Sequence, residues 1–463
     1  MLAYRHRRGT HMSQTPTSAI AGFVARLGFE DLPPAVVDKA RLVLLDAIGC
    51  AFGAYREDPR KAGIAVALAG QFGTAGPASV IGDGRTHPAA AALANGMLIN
   101  ATDNDDTHKR ALAHLGSVVV PAALAATEAR GGTGRQLVVA LVAGYEVAAR
   151  VGMAVMPSHY RFWHSTATNG TFGAAAAAAS AWGFDPDRTR TALGFAGTQA
   201  AGLNTFFESG DDSKSVHPGK AAMNGILSAM LAEIGATSPP DVLGHPKGYL
   251  AAYSLEPRPQ VLTEGLGTRW EILENGFKPY PSILASHSPI GASLEIAAGS
   301  PIPADRIRSV EVRTYATVKS HFSNKDVATT MAARLSVPYC VAVALVDREV
   351  GQRQFAPERF LDPVVRSVLE KVEIVVDPEL SPLYPEKFPA RVIVVLDDGS
   401  RHEATSLYPK GDPGNPLTTE ELASKFRRNL GGVLGDSETD RLLATVSDIE
   451  NLSVGDLGRQ LVR

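Results

Sequence analysis

Ile307-Arg308-Ser309-Val310-Glu311-Val312-Arg313-Thr314 alternates with period two over much of its length, as a half-buried strand does. The texture of the chain changes near Leu266. Upstream, apolar residues recur at helical spacing through residues 17–27, 34–53, 59–69, 89–100, 118–130, 133–155, 171–182, 186–200 and 217–235. Glycines and prolines punctuate these segments, and Pro34 suits a first helical turn. Downstream, Val372–Val376 and Ala390–Leu396 also look like strands. Asp397-Asp398-Gly399 offers hairpin-turn chemistry before a further strand at 401–405. Helical stretches at 288–298 and 331–346 lie among them, and helix returns at 418–430, with N-terminal capping character at Thr418, and at 437–449.

The expected architecture is mainly α with a second α+β domain: a large helical domain over residues 17–265 and a smaller α+β lid domain over 266–407. The C-terminal helices of residues 408–463 return to the helical domain. A chain of 463 residues exceeds one ordinary core, which agrees with two domains. Residues 1–16 are expected to be a tail. Arg5-His6-Arg7-Arg8 is basic and no apolar core segment follows, so the start reads as vector-derived or misassigned ahead of Met12, not as a signal peptide.

Alanine leads an apolar fraction of 45%, with 6% aromatics, a composition that favours close-packed helices. A net charge of −3 gives no basis for a nucleic-acid partner. No run of 18 apolar residues argues for a membrane span. Cys50 and Cys340 stand far apart in apolar contexts, which fits a reducing cytoplasm.

Five polar clusters carry the candidate chemistry. The densest runs from Asp103 through Asp105, Asp106, Thr107 and His108 to His114. The second spans His159, Tyr160, Trp163 and His164; the third runs from Ser209 to Gly219 around Lys214 and His217. The fourth holds Lys278, Tyr280 and His287, and the weaker fifth runs from His321 to Tyr339. Asp105 and Asp106 are placed to cap the next helix, where negative charge is favourable. Histidines five and six residues apart do not share a helical face, and no cysteine lies near, so no metal site is expected. The chain lacks a Gly-x-Ser-x-Gly elbow, a Gly-x-Gly-x-x-Gly turn after a strand and a Gly-Lys-Ser/Thr loop. General acid–base chemistry remains. A cavity holding Lys214, Lys278 and several histidines is net cationic, suits a small di- or tricarboxylate, and eases proton removal next to a carboxylate.

Five segments in order make the chain similar to the MmgE/PrpD family, from about Ala19 to Val454. They are Asn95-Gly96 through Asp105-Asp106-Thr107-His108, Trp163-His164-x-Thr166 with Phe172-Gly173-Ala174-Ala175, Ser213-Lys214-x-x-His217-x-Gly219, Lys278-Pro279-Tyr280-Pro281 with His287, and Leu335-Ser336-Val337-Pro338-Tyr339. The resemblance implies a helical domain, an α+β lid, a cleft between them, a homodimer and cofactor-free chemistry on small polycarboxylates. It carries functional roles onto Asp103, Thr107, His114, His164, Lys214 and His287, with Tyr280 and Tyr339 as candidates for the family's second-domain tyrosine. Together with the residue reading, the expected catalytic set is His114, His164, Lys214, Tyr280 and His287, and the expected substrate-binding set is Asp103, Thr107, His108, Tyr160, Lys278 and Tyr339. The leading expectation is a hydro-lyase like 2-methylcitrate dehydratase. An epimerase like iminodisuccinate epimerase, a decarboxylase like cis-aconitate decarboxylase and a non-catalytic carboxylate-binding protein are the alternatives. Where the family usually has His-Pro-Ser, this chain has His114-Leu115-Gly116.

Overall fold

A computed structural model describes residues 15–209, 211–299 and 302–463. The expected tail falls outside them except for Thr15 and Pro16. These two belong to the first helix, Pro16–Arg26, because the Thr15 hydroxyl accepts from the Ser18 N–H and caps it. Gly210 of the third cluster also lies outside the described residues.

The protein is mainly helical with a smaller α+β part, as its sequence pattern requires. Pro34–Glu57, Pro59–Gly70, Pro88–Asn100 and Pro186–Gln199 each open on a proline, whose missing N–H costs nothing in a first turn. One apolar cluster joins side chains from Leu32 to Phe277 with Leu422, Phe426, Leu430, Leu442, Val446, Leu457 and Leu461. The C-terminal helices Thr419–Leu430, Asp436–Ser447 and Val454–Leu461 therefore pack into the helical layer. A second cluster, from Ala285 to Ala404, is built on a four-stranded sheet. Its strand order is Val372–Val376, Ile307–Thr314, Ala390–Leu396, Arg401–Ser406. Ile307–Thr314 runs parallel to the first of these and antiparallel to Ala390–Leu396, with Thr314 opposite Val376 and Ala390. Val310, Val312 and Thr314 are buried, and the helices His287–Gly299 and Val337–Asp347 pack on the sheet.

Three expectations are corrected. Helices expected to start near Thr171 and His217 start at Ser165 and Ser213. Polar residues dominate those first turns, Ser165 to Asn169 in one and Ser213 to Ser215 in the other, so apolar periodicity becomes visible only a turn later. The helix expected over 331–346 is two, Thr330–Leu335 and Val337–Asp347. Ser336 breaks it in an extended conformation and caps the second piece through its hydroxyl, and Pro338 sits in that helix's first turn. The helical part also contains two short pairings, Ala78–Ser79 with Arg85–Thr86 and Thr107–His108 with Asn275–Gly276.

The Gly134–Val155 helix is long and apolar enough to cross a membrane by composition. Here it is a core helix, buried throughout its most apolar stretch. It carries an ion pair between Arg150 and Glu146 at 3.1 Å, with neither side chain exposed. The Arg150 guanidinium also donates to the carbonyls of Glu264 at 2.7 Å and Arg269 at 2.9 Å, fixing the chain that leads toward Lys278. Removing it strands those carbonyls. Arg150→Ala is predicted to lower the unfolding free energy by about 3 kcal/mol or more. Urea unfolding followed by circular dichroism measures this, and a loss below about 1 kcal/mol contradicts it.

Candidate active site

Asp103 ends the turn after the Pro88–Asn100 helix, in the left-handed region at φ +55°. Aspartate tolerates this region better than most side chains. The turn aims the carboxylate into a cavity of about 160 Å³ between the helical and α+β parts. Water needs ~10–15 Å³ of such volume, so the cavity holds a small molecule rather than a polymer segment.

Two lysines reach the same oxygen of that carboxylate. Lys214 Nζ lies 2.9 Å from Asp103 Oδ1, and Lys278 Nζ lies 2.9 Å from it. Lys278 also donates to the Asp103 carbonyl at 3.2 Å. Lys214 sits in the first turn of the Ser213–Glu233 helix, which crosses the Pro88–Asn100 helix where a Cβ on Gly96 would fall 2.6 Å from Gly219 Cα. Only glycine at both positions allows that approach. Lys278 is placed by the short pairing of Thr107–His108 with Asn275–Gly276, two residues upstream of it. Burial alone raises the Asp103 carboxyl, and Lys214, Lys278 and His114 outweigh it, holding the carboxyl well below its usual range. Lys278 is itself lowered, mainly by burial and in part by Lys214, against the opposing pull of Asp103.

His114 presents its other side to the same space. Its Nδ1 lies 2.8 Å from the Asp106 carbonyl, which can only accept, so Nδ1 carries the proton. Nε2, 3.9 Å from Asp103 Oδ1, is left to take a proton from the cavity. Thr107 Oγ1 stands 3.3 Å from His114 Nδ1. Burial lowers the pKa of His114 despite the nearby Asp105 and Asp103. His164 precedes the Ser165–Ala181 helix, and its Nδ1 faces His217 Nδ1 at 3.1 Å, so one ring donates and the other accepts. Burial, then His217 and Lys214, push His164 well below an ordinary imidazole, and His217 falls to about 4.

The cavity thus gathers Asp103, Thr107, His114, Tyr160, His164, Lys214 and Lys278 from four of the five clusters. The four other expected site residues do not line it. His108 is a buried brace: its Nδ1 accepts from Ala111 N–H at 3.2 Å and its Nε2 faces Glu271 at 3.4 Å. Tyr339 is fully buried, its hydroxyl held by the Gln354 carbonyl. His287 lies behind the cavity wall, its Nε2 3.2 Å from the Ser282 carbonyl. Tyr280 packs edge-on against His287 at 5.3 Å and faces an outer groove beside Lys410 and Glu421. The acidic pair is structural in its contacts. Asp105 accepts from Asn100 at 2.9 Å, and Asp106 accepts from the Gly116 N–H at 2.8 Å and from Tyr145, capping the Gly116–Ala129 helix. A Cβ on Gly116 would meet the Asp106 carboxylate at 2.7 Å, so a larger residue here has to displace that cap.

Sequence reasoning missed the aromatic lining. Phe206 and Phe207 come from the segment before Lys214, and Tyr315, Tyr384 and Phe388 come from the α+β part. Tyr315 follows the Ile307–Thr314 strand directly, a strand end that opens on the cleft, and its ring stacks on Tyr384 at 4.2 Å. Asp103, Asp105 and His114 offer ligand atoms within 4.8 Å of one another, close enough to share a metal ion. Two ammonium groups already occupy the Asp103 oxygen, so a cation there would meet two positive charges; the group fits an anion better.

Burial holds two histidines far below an ordinary imidazole value of 6.5: His287 at about 3, where Lys278 adds to the effect, and His159 at about 4. Below about 6.5 the unfolded chain takes up protons that the folded chain refuses. The stability these rings contribute is complete above about pH 6.5 and is lost as the pH falls toward 4, at about 1.4 kcal/mol per pH unit for each ring. Between pH 6.5 and 5, His287→Gln is predicted to lose about 2 kcal/mol less stability than the native chain. Guanidinium unfolding at the two pH values measures this, and equal losses contradict it.

Residues 18–262 match the MmgE/PrpD N-terminal domain, and residues 280–451 match the MmgE/PrpD C-terminal domain. The chain is 29% identical to the cis-aconitate decarboxylase-like protein oryM of Aspergillus oryzae, with 94% of each chain covered. It is 29% identical to a cis-aconitate decarboxylase of Aspergillus terreus, again over 94% of each, and 27% identical to the human cis-aconitate decarboxylase over 95% of this chain and 93% of that one. With both domains matched in order across most of its length, the chain belongs to the MmgE/PrpD family.

Proposed function

We propose that this protein is a lyase that decarboxylates a small unsaturated carboxylic acid in the cavity around Asp103. The observation that carries this reading is the convergence of Lys214 and Lys278 on one buried carboxylate oxygen, with two proton-poor imidazoles alongside. The relatives named as cis-aconitate decarboxylases support the reaction class. They move the balance away from the hydro-lyase expected from sequence.

The lysine ammoniums bind a substrate carboxylate. The bond from the allylic carbon to the departing carboxylate breaks and CO₂ leaves. Its electron pair moves across the double bond, and a proton is added at the far carbon. A bound anion also changes the imidazoles. Negative charge between Lys214, Lys278 and the rings favours the charged form of His114 or His164, so binding itself loads the proton that the carbanion takes. Cofactor-free chemistry is part of the proposal, as is assembly of the protein as a homodimer.

A hydro-lyase is the second reading, and the His164–His217 contact favours it. A neutral imidazole pair can accept a proton α to a carboxylate and pass it along.

Lys214→Ala is predicted to lower turnover at least about a hundredfold with the circular dichroism spectrum unchanged, as expected for loss of one charged donor at the reacting anion. Normal turnover overturns the role given to Lys214. Proton NMR in D₂O reads the reaction, using β,γ-unsaturated and β-hydroxy polycarboxylates with and without alkyl substituents. Release of CO₂ with one deuteron gained supports the decarboxylase. Release of water makes the protein a hydro-lyase, and exchange without net product makes it an epimerase. No conversion across the panel overturns the lyase reading.

A further inference from the structure

Decarboxylation consumes a proton, which has to reach carbon while the substrate fills the cavity. Two imidazoles line that space, His114 and His164. The Nδ1 proton of His114 is committed to the Asp106 carbonyl, which leaves its Nε2 bare. His164 differs. Its backbone N–H is fixed on the Gly202 carbonyl at 3.0 Å, but the contact of its Nδ1 with His217 Nδ1, at 3.1 Å, is the ring's one hydrogen bond among the described residues. The proton on the His164 ring is therefore placed by His217. A neutral His164 that offers an Nε2–H to the cavity has a bare, buried Nδ1, and such a nitrogen needs a donor. The Nδ1–H of His217 supplies it.

His217 follows Lys214 by three residues in the Ser213–Glu233 helix, so the two are neighbours on its surface. Lys214 lines the cavity and His217 does not. His217 is half-buried, and its Nε2, without a protein partner among the described residues, is not enclosed. Phe206 packs edge-on against both rings, 5.0 Å from His164 and 6.0 Å from His217. The imidazole pair thus leads from the cavity, past Phe206, to the outside of the helical layer. The charged and titratable groups acting on His217 are Lys220 and Asp211; those acting on His164 are His217, Lys214, His114 and Asp103.

We propose that His217 is the positioning residue of His164: it holds the His164 Nε2–H toward the substrate and brings in the proton that His164 gives up. This rests on the decarboxylase reading and deepens it by making His164, not His114, the acid. The bound anion draws a proton from solvent onto His217 Nε2, and the bridging proton passes from His217 Nδ1 to His164 Nδ1. As the bond to the departing carboxylate breaks and CO₂ leaves, its electron pair moves across the double bond, and the far carbon takes the His164 Nε2 proton. Both rings end neutral, with their hydrogen bond reversed. One proton has entered from solvent and one has gone to product. After product release, water in the emptied cavity returns a proton to His164 Nε2, the bridging proton moves back, and His217 Nε2 gives its proton to solvent. That reset has no net proton change.

The test is kcat and KM for the native protein, His217→Asn and His217→Ala with β,γ-unsaturated polycarboxylates, after circular dichroism has shown each variant folded. The asparagine amide N–H replaces the Nδ1 donor and keeps His164 in place, but it passes no proton. His217→Asn is therefore expected to keep the native KM while kcat falls at least about a hundredfold, and His217→Ala to lose at least as much kcat. Recovery of kcat in His217→Asn reduces His217 to a support for the ring and overturns the proton path. Native kcat in His217→Ala overturns the positioning role as well. Either result leaves the lyase reading in place. A native protein that decarboxylates none of these acids overturns that reading, and this inference with it.

Discussion

One buried oxygen organises this molecule. Asp103 Oδ1 accepts from Lys278 and pairs with Lys214, and the three residues come from separated parts of the chain: the turn after Pro88–Asn100, the linker toward the sheet and the first turn of Ser213–Glu233. Burying three charges is costly, and their mutual attraction offsets that cost only while all three stay in place. The fold is arranged to keep them there. The Gly96–Gly219 crossing brings one helix against the other, the Thr107–Gly276 pairing fixes the linker, and Arg150 holds the loops upstream of it. A second ion pair beneath, Lys425 with Asp46 at 2.6 Å, reaches the same turn through the Asn104 carbonyl. It ties the C-terminal helices to the site.

That arrangement also sets the chemistry. Both cations are already paired with Asp103, so in the proposed reaction a substrate carboxylate exchanges for part of an existing interaction. Burial and neighbouring positive charge lower both imidazoles, which in the proposed reaction favours a proton only once an anion is bound. The α+β part completes the cavity with Phe322, Leu335 and Phe388.

Much of this was legible in the sequence. Period-two alternation located the sheet, and helical spacing located the helical layer, because each reports which face is buried. Asp103, His114, His164, Lys214 and Lys278 stood out as charged or titratable groups beside apolar helices. What the sequence could not say is which side of an element faces the cleft. Tyr339 and His287 sit in segments that carry the family's motifs, yet their side chains turn into the core of the second layer. Tyr315 and Phe388 look like ordinary sheet residues and turn toward the cavity. Gly116 reads as a lost hydroxyl in one dimension. In three it is the space that the Asp106 cap occupies.

The central claim is that Asp103 stays ionised between two lysines at the wall of the cavity. Carbon-13 NMR of the labelled side-chain carboxyl, assigned by comparison with Asp103→Asn, measures it directly. The account predicts a carboxylate shift that does not move from neutral pH down to the lowest pH at which the protein remains folded. A titration midpoint at or above the ordinary aspartate value of about 3.9 would contradict it.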